Sequence, residues 1–247
     1  MSAVVVCAVV MVFYAVVYRH VVGRFGTLAR RVAQAASLTE RHSEKDVDDA
    51  LKLAGAALAQ LVLAVVLWLL VGPSTGPLVS GWSPALLALA ALLGIGSLGL
   101  SAVLVRAVVG VTRGSAETWL ASGGGGWVRQ FRAVGRVASP GVAVVTVVAY
   151  VAGEEVVFRV VLLHVLEGWG PAAAVTVATA LFVGVQAVGM PSLSAAFFPM
   201  VGAAVVGAVH GLLYLAVPAL VPLVVAHAVF LLGATAPRVP ASTGAVR

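Results

Sequence analysis

Ala149-Tyr150-Val151-Ala152-Gly153-Glu154-Glu155-Val156-Val157-Phe158-Arg159-Val160-Val161-Leu162-Leu163 is an apolar stretch that carries three ionisable side chains, Glu154, Glu155 and Arg159. Its surroundings decide what it is. The 247 residues are 62% hydrophobic and 10% charged, with a mean hydropathy of +1.11, a balance that belongs to a membrane protein and not to a soluble domain. A helix that crosses about 30 Å of hydrocarbon needs roughly 20 mainly apolar residues. About seven runs of this kind lie between charges and Pro or Gly breaks, at residues 2–22, 50–71, 85–111, 141–166, 171–188, 194–217 and 219–235. The fold class is therefore all-α, a polytopic transmembrane helix bundle of about seven helices. Continuous apolar runs, without alternation, exclude a β-barrel. The first run opens without a basic segment and has Arg19 and Arg24 on its far side, so it reads as a retained helix and not as a signal peptide. Cys7, the sole cysteine, lies inside it as a small packing residue, so there is no disulfide framework.

The formal charge of +6 does not mark a nucleic-acid partner, because the basic residues other than Arg159 lie in the links between helices or at the helix ends beside them. There they report orientation. Arg19, Arg24, Arg30, Arg31, Arg41, Lys45 and Lys52 follow the first run, and Arg106, Arg113, Arg129, Arg132 and Arg136 follow the third. Both segments are expected in the cytoplasm, which places the N-terminus outside and the C-terminus, with Arg238 and Arg247, inside. Thirteen of the fifteen basic residues are Arg, which with abundant Ala, Val and Gly suggests a GC-rich bacterium and hence a multi-pass protein of the bacterial inner (cell) membrane. Residues 23–49 read as a solvated cytosolic connector. After a tetraglycine at 123–126, Trp127, Phe131 and Val134 alternate with Arg129, Arg132 and Arg136, the pattern of an interfacial amphipathic helix on anionic membrane lipid. No internal repeat is visible. The expected organisation is N-terminal transmembrane helices with two basic cytoplasmic loops at 1–140, core helices at 141–236 and a short cytoplasmic tail at 237–247.

Ionisable residues inside the apolar runs are concentrated in the second half: Glu154, Glu155, Arg159 and His164, then His210, then His227. Glu154 is about 20 Å along the helix axis from Gly141, well inside the hydrocarbon. Each ionised residue near the centre costs roughly 2.5 to 3.5 kcal/mol on insertion scales, so three together need a compensating reason. Glu155 and Arg159 are four apart with the acid first, the favourable order for an ion pair on one helix face. Glu154 points about 100° away and stays available. A carboxylate in apolar surroundings beside a second negative charge is a more effective proton acceptor, the arrangement wanted for activating a water. The competing structural reading is a buried ionic lock between helices.

Glu-Glu-x-x-x-Arg in a late helix, followed by Phe182-Val183-Gly184-Val185-Gln186, Gly207-x-x-x-Gly211-Leu212-Leu213-Tyr214 and Leu220-x-Pro222-x-x-x-x-His227, resembles the CPBP (Abi) family of intramembrane proteases. Type II CAAX prenyl endopeptidases are its eukaryotic members. The resemblance spans roughly residues 141–233. It implies that Glu154 is the general base, that Glu155 and Arg159 are a supporting pair, that His227 helps stabilise the oxyanion and that Phe182 belongs to the substrate cavity. Two positions depart from the family pattern: Gln186 stands where Phe-x-x-x-His is expected, and Leu231 where His-x-x-x-Asn is expected. Gln can hydrogen-bond a water but cannot take its proton, and Leu donates nothing. Losing one oxyanion donor typically costs about 10² to 10³ in rate. His210, on a small-residue face, either lends the site an imidazole or makes an interhelical hydrogen bond. Helix rise puts His227 roughly 18 Å from the cytosolic side, close to the level of Glu154, and Gln186 nearer the cytosol. His164 and Glu167 read as interfacial, His20 as a boundary residue and His42 as part of the charged connector.

Zinc is the metal such a peptidase would take, and the chain offers Glu154, His227 and the amide oxygen of Gln186, a poor set beside the usual three strong ligands and a water. The leading function is an intramembrane endopeptidase that hydrolyses a membrane-associated peptide or protein with Glu-activated water. The alternatives are an inactive relative (a pseudoenzyme) that binds peptides or serves immunity to one, and a proton-coupled transporter, against which the lack of repeats counts.

Overall fold

The structure is a computed structural model and describes residues 2–21, 27, 31, 34, 37–72, 76, 81–111, 127–188, 190 and 192–235. Arg24, Arg30, Arg113, Arg238, Arg247, the tetraglycine and the tail at 237–247 lie outside the described residues, as do the side chains of Arg19 and His20. Among the described residues every regular element is helical. They are α1 (Ala3–Phe13, continued by π-helical Tyr14–Val21), α2 (Leu38–Arg41), α3 (Glu44–Val71), α4 (Pro84–Val111), α5 (Trp127–Val137), α6 (Pro140–Trp169), α7 (Pro171–Ala187), α8 (Leu193–Ala216) and α9 (Leu220–Thr235). Four of these, Glu44–Val71, Pro84–Val108, Pro140–Trp169 and Leu193–Ala216, are long and apolar enough to cross a membrane. The remaining three expected spans are the shorter apolar helices Ala3–Val17, Pro171–Ala187 and Leu220–Thr235. The chain is a polytopic helical bundle.

Helix α3 begins at Glu44, earlier than the apolar run that starts at residue 50. Ser43 caps it by accepting a hydrogen bond from the Asp46 backbone at 3.2 Å, and Glu44 and Asp46 sit in a first turn whose dipole favours negative charge. Gly72, in the left-handed region at φ 69°, stops it by donating to the Trp68 carbonyl at 2.8 Å. The acidic start of α3 is only partly solvated. Asp49 is buried and receives both Nε and Nη2 of Arg129 at 2.6 and 3.1 Å, while Arg136 pairs with Asp46. Helix α5 thus lies on α3, with Val128, Phe131, Ala133 and Val134 buried. Arg132 donates Nε to the Thr235 carbonyl at 3.1 Å, which ties α5 to the end of α9. The arginines that the sequence assigned to lipid have protein partners.

Helix α6 packs against α3 and α9, α7 against α8, and α4 against α8 and α9. The α4–α9 contact is a backbone contact: a Cβ built on Gly94 would collide with the Ala226 carbonyl oxygen. Gly94→Ala is therefore expected to force α4 off α9 at a cost of about 1–3 kcal/mol, read as a lower unfolding temperature in detergent. Gly153 has a similar function between α6 and α3, where its missing side chain would stand 3.0 Å from the Gln60 Cβ. That close approach brings Gln60 next to Glu154.

A buried carboxylate and histidine site

In α6 the α-helical hydrogen bonding ends at Glu155 and gives way to a π-helical segment, Val156–Val161, before α-helix resumes at Leu162–Leu166. A π segment inserts one residue per turn, and such segments concentrate at functional sites. This one starts directly after the two glutamates and contains Arg159. All six of its residues are buried. The ion pair expected from ideal helix spacing survives: Arg159 Nε lies 3.3 Å from Glu155 Oε2, with both side chains removed from solvent.

Glu155 has more partners than Arg159. Its Oε1 is the shared acceptor of two imidazoles, His227 Nδ1 at 2.6 Å and His210 Nδ1 at 3.0 Å. The alternatives left open for His210 resolve into a direct hydrogen bond to the Glu-Glu motif. Because His227 gives Nδ1 to Glu155, its other nitrogen is aimed away, and Nε2 faces Glu154 Oε2 at 3.7 Å. Three helices, α6, α8 and α9, therefore meet on one carboxylate, and that carboxylate orients the imidazole that faces the second one. Glu154, Glu155, Arg159, His210 and His227 are each 3% exposed or less.

The remaining sequence candidates lie at the same place. Glu154, Gln186, Phe182, His227 and Leu231 line one small cavity of about 20 Å³, together with Tyr150 and Pro199. Arg159 lies over the Phe182 ring, 4.6 Å from its centroid, and Phe182 meets the His227 ring edge-on at 6.1 Å. His164 and Glu167 are apart from this cluster, 3.6 Å from each other at the end of α6, and partly or largely exposed.

Gln60 escaped the sequence reading. It is fully buried on α3 and donates Nε2 to Glu154 Oε1 at 3.4 Å. The one available signal was an amide side chain in an otherwise apolar run, and its partner is 94 positions away. Asp49 was also missed as a buried acid, because it closes a stretch that reads as surface.

The metal expectation shifts. Among the described residues, the three side chains whose ligating atoms lie within 4.8 Å of one another are Glu155, His210 and His227, a set that omits Glu154. It fits zinc poorly. Both imidazole Nδ1 atoms already meet the same carboxylate oxygen, and the Arg159 guanidinium places a fixed positive charge 3.3 Å from that carboxylate, which opposes a divalent cation.

An intramembrane pair of carboxylates held by Arg and His, in a bundle of apolar helices, defines a polytopic membrane protein with a buried polar site. Residues 136–232 match the family described as Type II CAAX prenyl endopeptidase Rce1-like, and over this segment the chain is similar to that family of membrane endopeptidases. The matched segment contains every residue of the cluster except Gln60. No curated protein and no solved structure matches the chain.

Proposed function

We propose that the protein is an intramembrane endopeptidase in which Glu154 activates a water for attack on a peptide bond of a membrane-associated substrate. The observation that carries this reading is the 3.7 Å approach of Glu154 to the His227 nitrogen left over after Glu155 has fixed the other. A cavity of about 20 Å³ beside them has room for about one water. Glu154 takes a proton from that water as its oxygen adds to the scissile carbonyl, then returns the proton to the departing amine. The oxyanion that forms needs N–H donors. Gln186 offers its amide, and His227 offers Nε2–H when both ring nitrogens carry a proton, with Nδ1–H retained by Glu155. Gln60 holds the other oxygen of Glu154, so the carboxylate is oriented from both sides. No step is assigned to zinc.

The proposal includes an orientation in the membrane. The N-terminal end of α3, the basic helix α5 and the C-terminal end of α9 are joined by Asp46, Asp49, Arg129, Arg132, Arg136 and Thr235 at one end of the bundle. Arginine-rich ends face the cytoplasm, so the reading puts that end inside and the N-terminus outside.

A second reading, a peptide-binding relative without turnover, is favoured by Gln186 and Leu231, which line the cavity where the family pattern carries His and Asn. Proteoliposomes supplied with a library of apolar peptides separate the two. Under the peptidase reading the wild type cleaves, and Gln186→His raises the rate by about ten-fold or more by adding an acid–base group. Cleavage by Gln186→His alone, with none by the wild type, establishes the binding protein instead.

A further inference from the structure

Two cavities in the bundle share a wall. The larger, about 790 Å³, is an apolar groove between the first half of α6 and the second half of α9, closed at one end by α5. Val144 and Leu232 on its rim are 61% and 62% exposed, so the groove opens sideways. The smaller is the Glu154 cavity of about 20 Å³. Phe131 and Leu231 line both, and both are buried.

The sizes do not match the chemistry. A cavity with room for about one water cannot also take a peptide bond and its flanking residues, whereas clefts that hold small ligands run to about 300–1,000 Å³. A substrate that enters by the groove reaches Glu154 only if part of the shared wall moves. The two wall residues differ in freedom. Phe131 is braced edge-on by Trp127 at 5.7 Å and by Tyr150 at 5.2 Å. Leu231 is aliphatic, stands one helical turn after His227 and can exchange rotamers without breaking a ring contact.

The geometry points to Leu231 as a movable apolar partition between the Glu154 cavity and a lateral binding groove for an extended apolar peptide segment with an acidic residue at its α5 end. The inference rests on Glu154 as the catalytic base. It gives Leu231 a function other than the oxyanion donation it cannot perform: its bulk selects which segments pass. A peptide is the occupant because the groove ends on a wall that it shares with the Glu154 cavity. The acidic residue follows from Arg132, which lines the groove and spends Nε on a backbone carbonyl instead of a carboxylate.

The test uses the full chain in phosphatidylcholine nanodiscs and an apolar peptide that carries one Asp and a benzophenone side chain, in the Glu154→Gln background where the peptide is not consumed. Adducts are expected on α6 and α9 at the groove, with yield lowered at least about ten-fold by Val147→Trp, which fills it, and by Leu232→Trp on the exposed rim, which spares the packing. Leu231→Ala should move adducts inward, onto Phe182 and Gln186. With Glu154 restored, it should raise kcat/KM several-fold more for peptides with large residues beside the scissile bond than for peptides with small ones. Adducts indifferent to both Trp variants overturn the groove, as does displacement of the peptide by an acyl-chain photoprobe lipid that labels the groove itself. Cleavage without groove adducts removes the partition and leaves Glu154 as base. Groove adducts that move with Leu231→Ala in a wild type that cleaves nothing keep the partition and remove the catalysis.

Discussion

Glu154→Gln should lower peptide cleavage by about 10² to 10⁴-fold, the range that general base catalysis contributes, without unfolding the bundle. The substitution keeps the shape and the hydrogen-bonding oxygen that Gln60 donates to, at 3.4 Å in the native site. What it removes is the ability to accept a proton, which an amide lacks at any working pH. Because Glu155 keeps its contacts to Arg159 and both imidazoles, the electrostatic framework of the site is unchanged. The loss should fall on kcat and leave KM nearly constant, since no contact to the bound peptide is deleted. Initial rates in proteoliposomes, with the elution profile of the variant as a folding control, measure it.

Arg159→Met has the largest expected effect on stability. It deletes the cation beside a carboxylate that is fully buried, and an unpaired buried charge typically destabilises by about 3–5 kcal/mol. Methionine fills much of the volume and can still pack on Phe182, so the loss is electrostatic more than steric. A partner change discriminates. Glu155→Gln removes the matching anion while keeping an acceptor for His210 and His227, so the double variant Glu155→Gln with Arg159→Met should be more stable than the sum of the single effects. Thermal unfolding in detergent reads all three. Strict additivity would mean that Arg159 is held by something other than Glu155.

The membrane spans were legible because hydrocarbon thickness imposes a length that composition alone reveals. The start of α3 was not, since Asp46 and Asp49 read as surface until Arg136 and Arg129 are brought to them from 90 and 80 positions away. In α6 the three charged residues announced themselves by their cost in an apolar helix, and their i, i+4 spacing gave the Glu155–Arg159 pair. The π-helical Val156–Val161 that follows leaves no mark in periodicity, because six apolar residues look alike at either pitch. Depth arithmetic matched His227 to Glu154, and the two are in contact. Which nitrogen faces which carboxylate depended on how α8 and α9 converge on Glu155. Gln60 depended on the Gly153 approach between α3 and α6, and no local pattern encodes that.

The central claim is that Glu154 performs the hydrolysis. The direct measurement is the appearance of peptide fragments, by mass, from proteoliposomes that hold either the wild type or Glu154→Gln at equal loading. Fragments are expected from the wild type, and a rate lower by about 10² or more from the variant. The same fragments at the same rate from both would contradict it, and so would a folded wild type that cleaves no peptide at all.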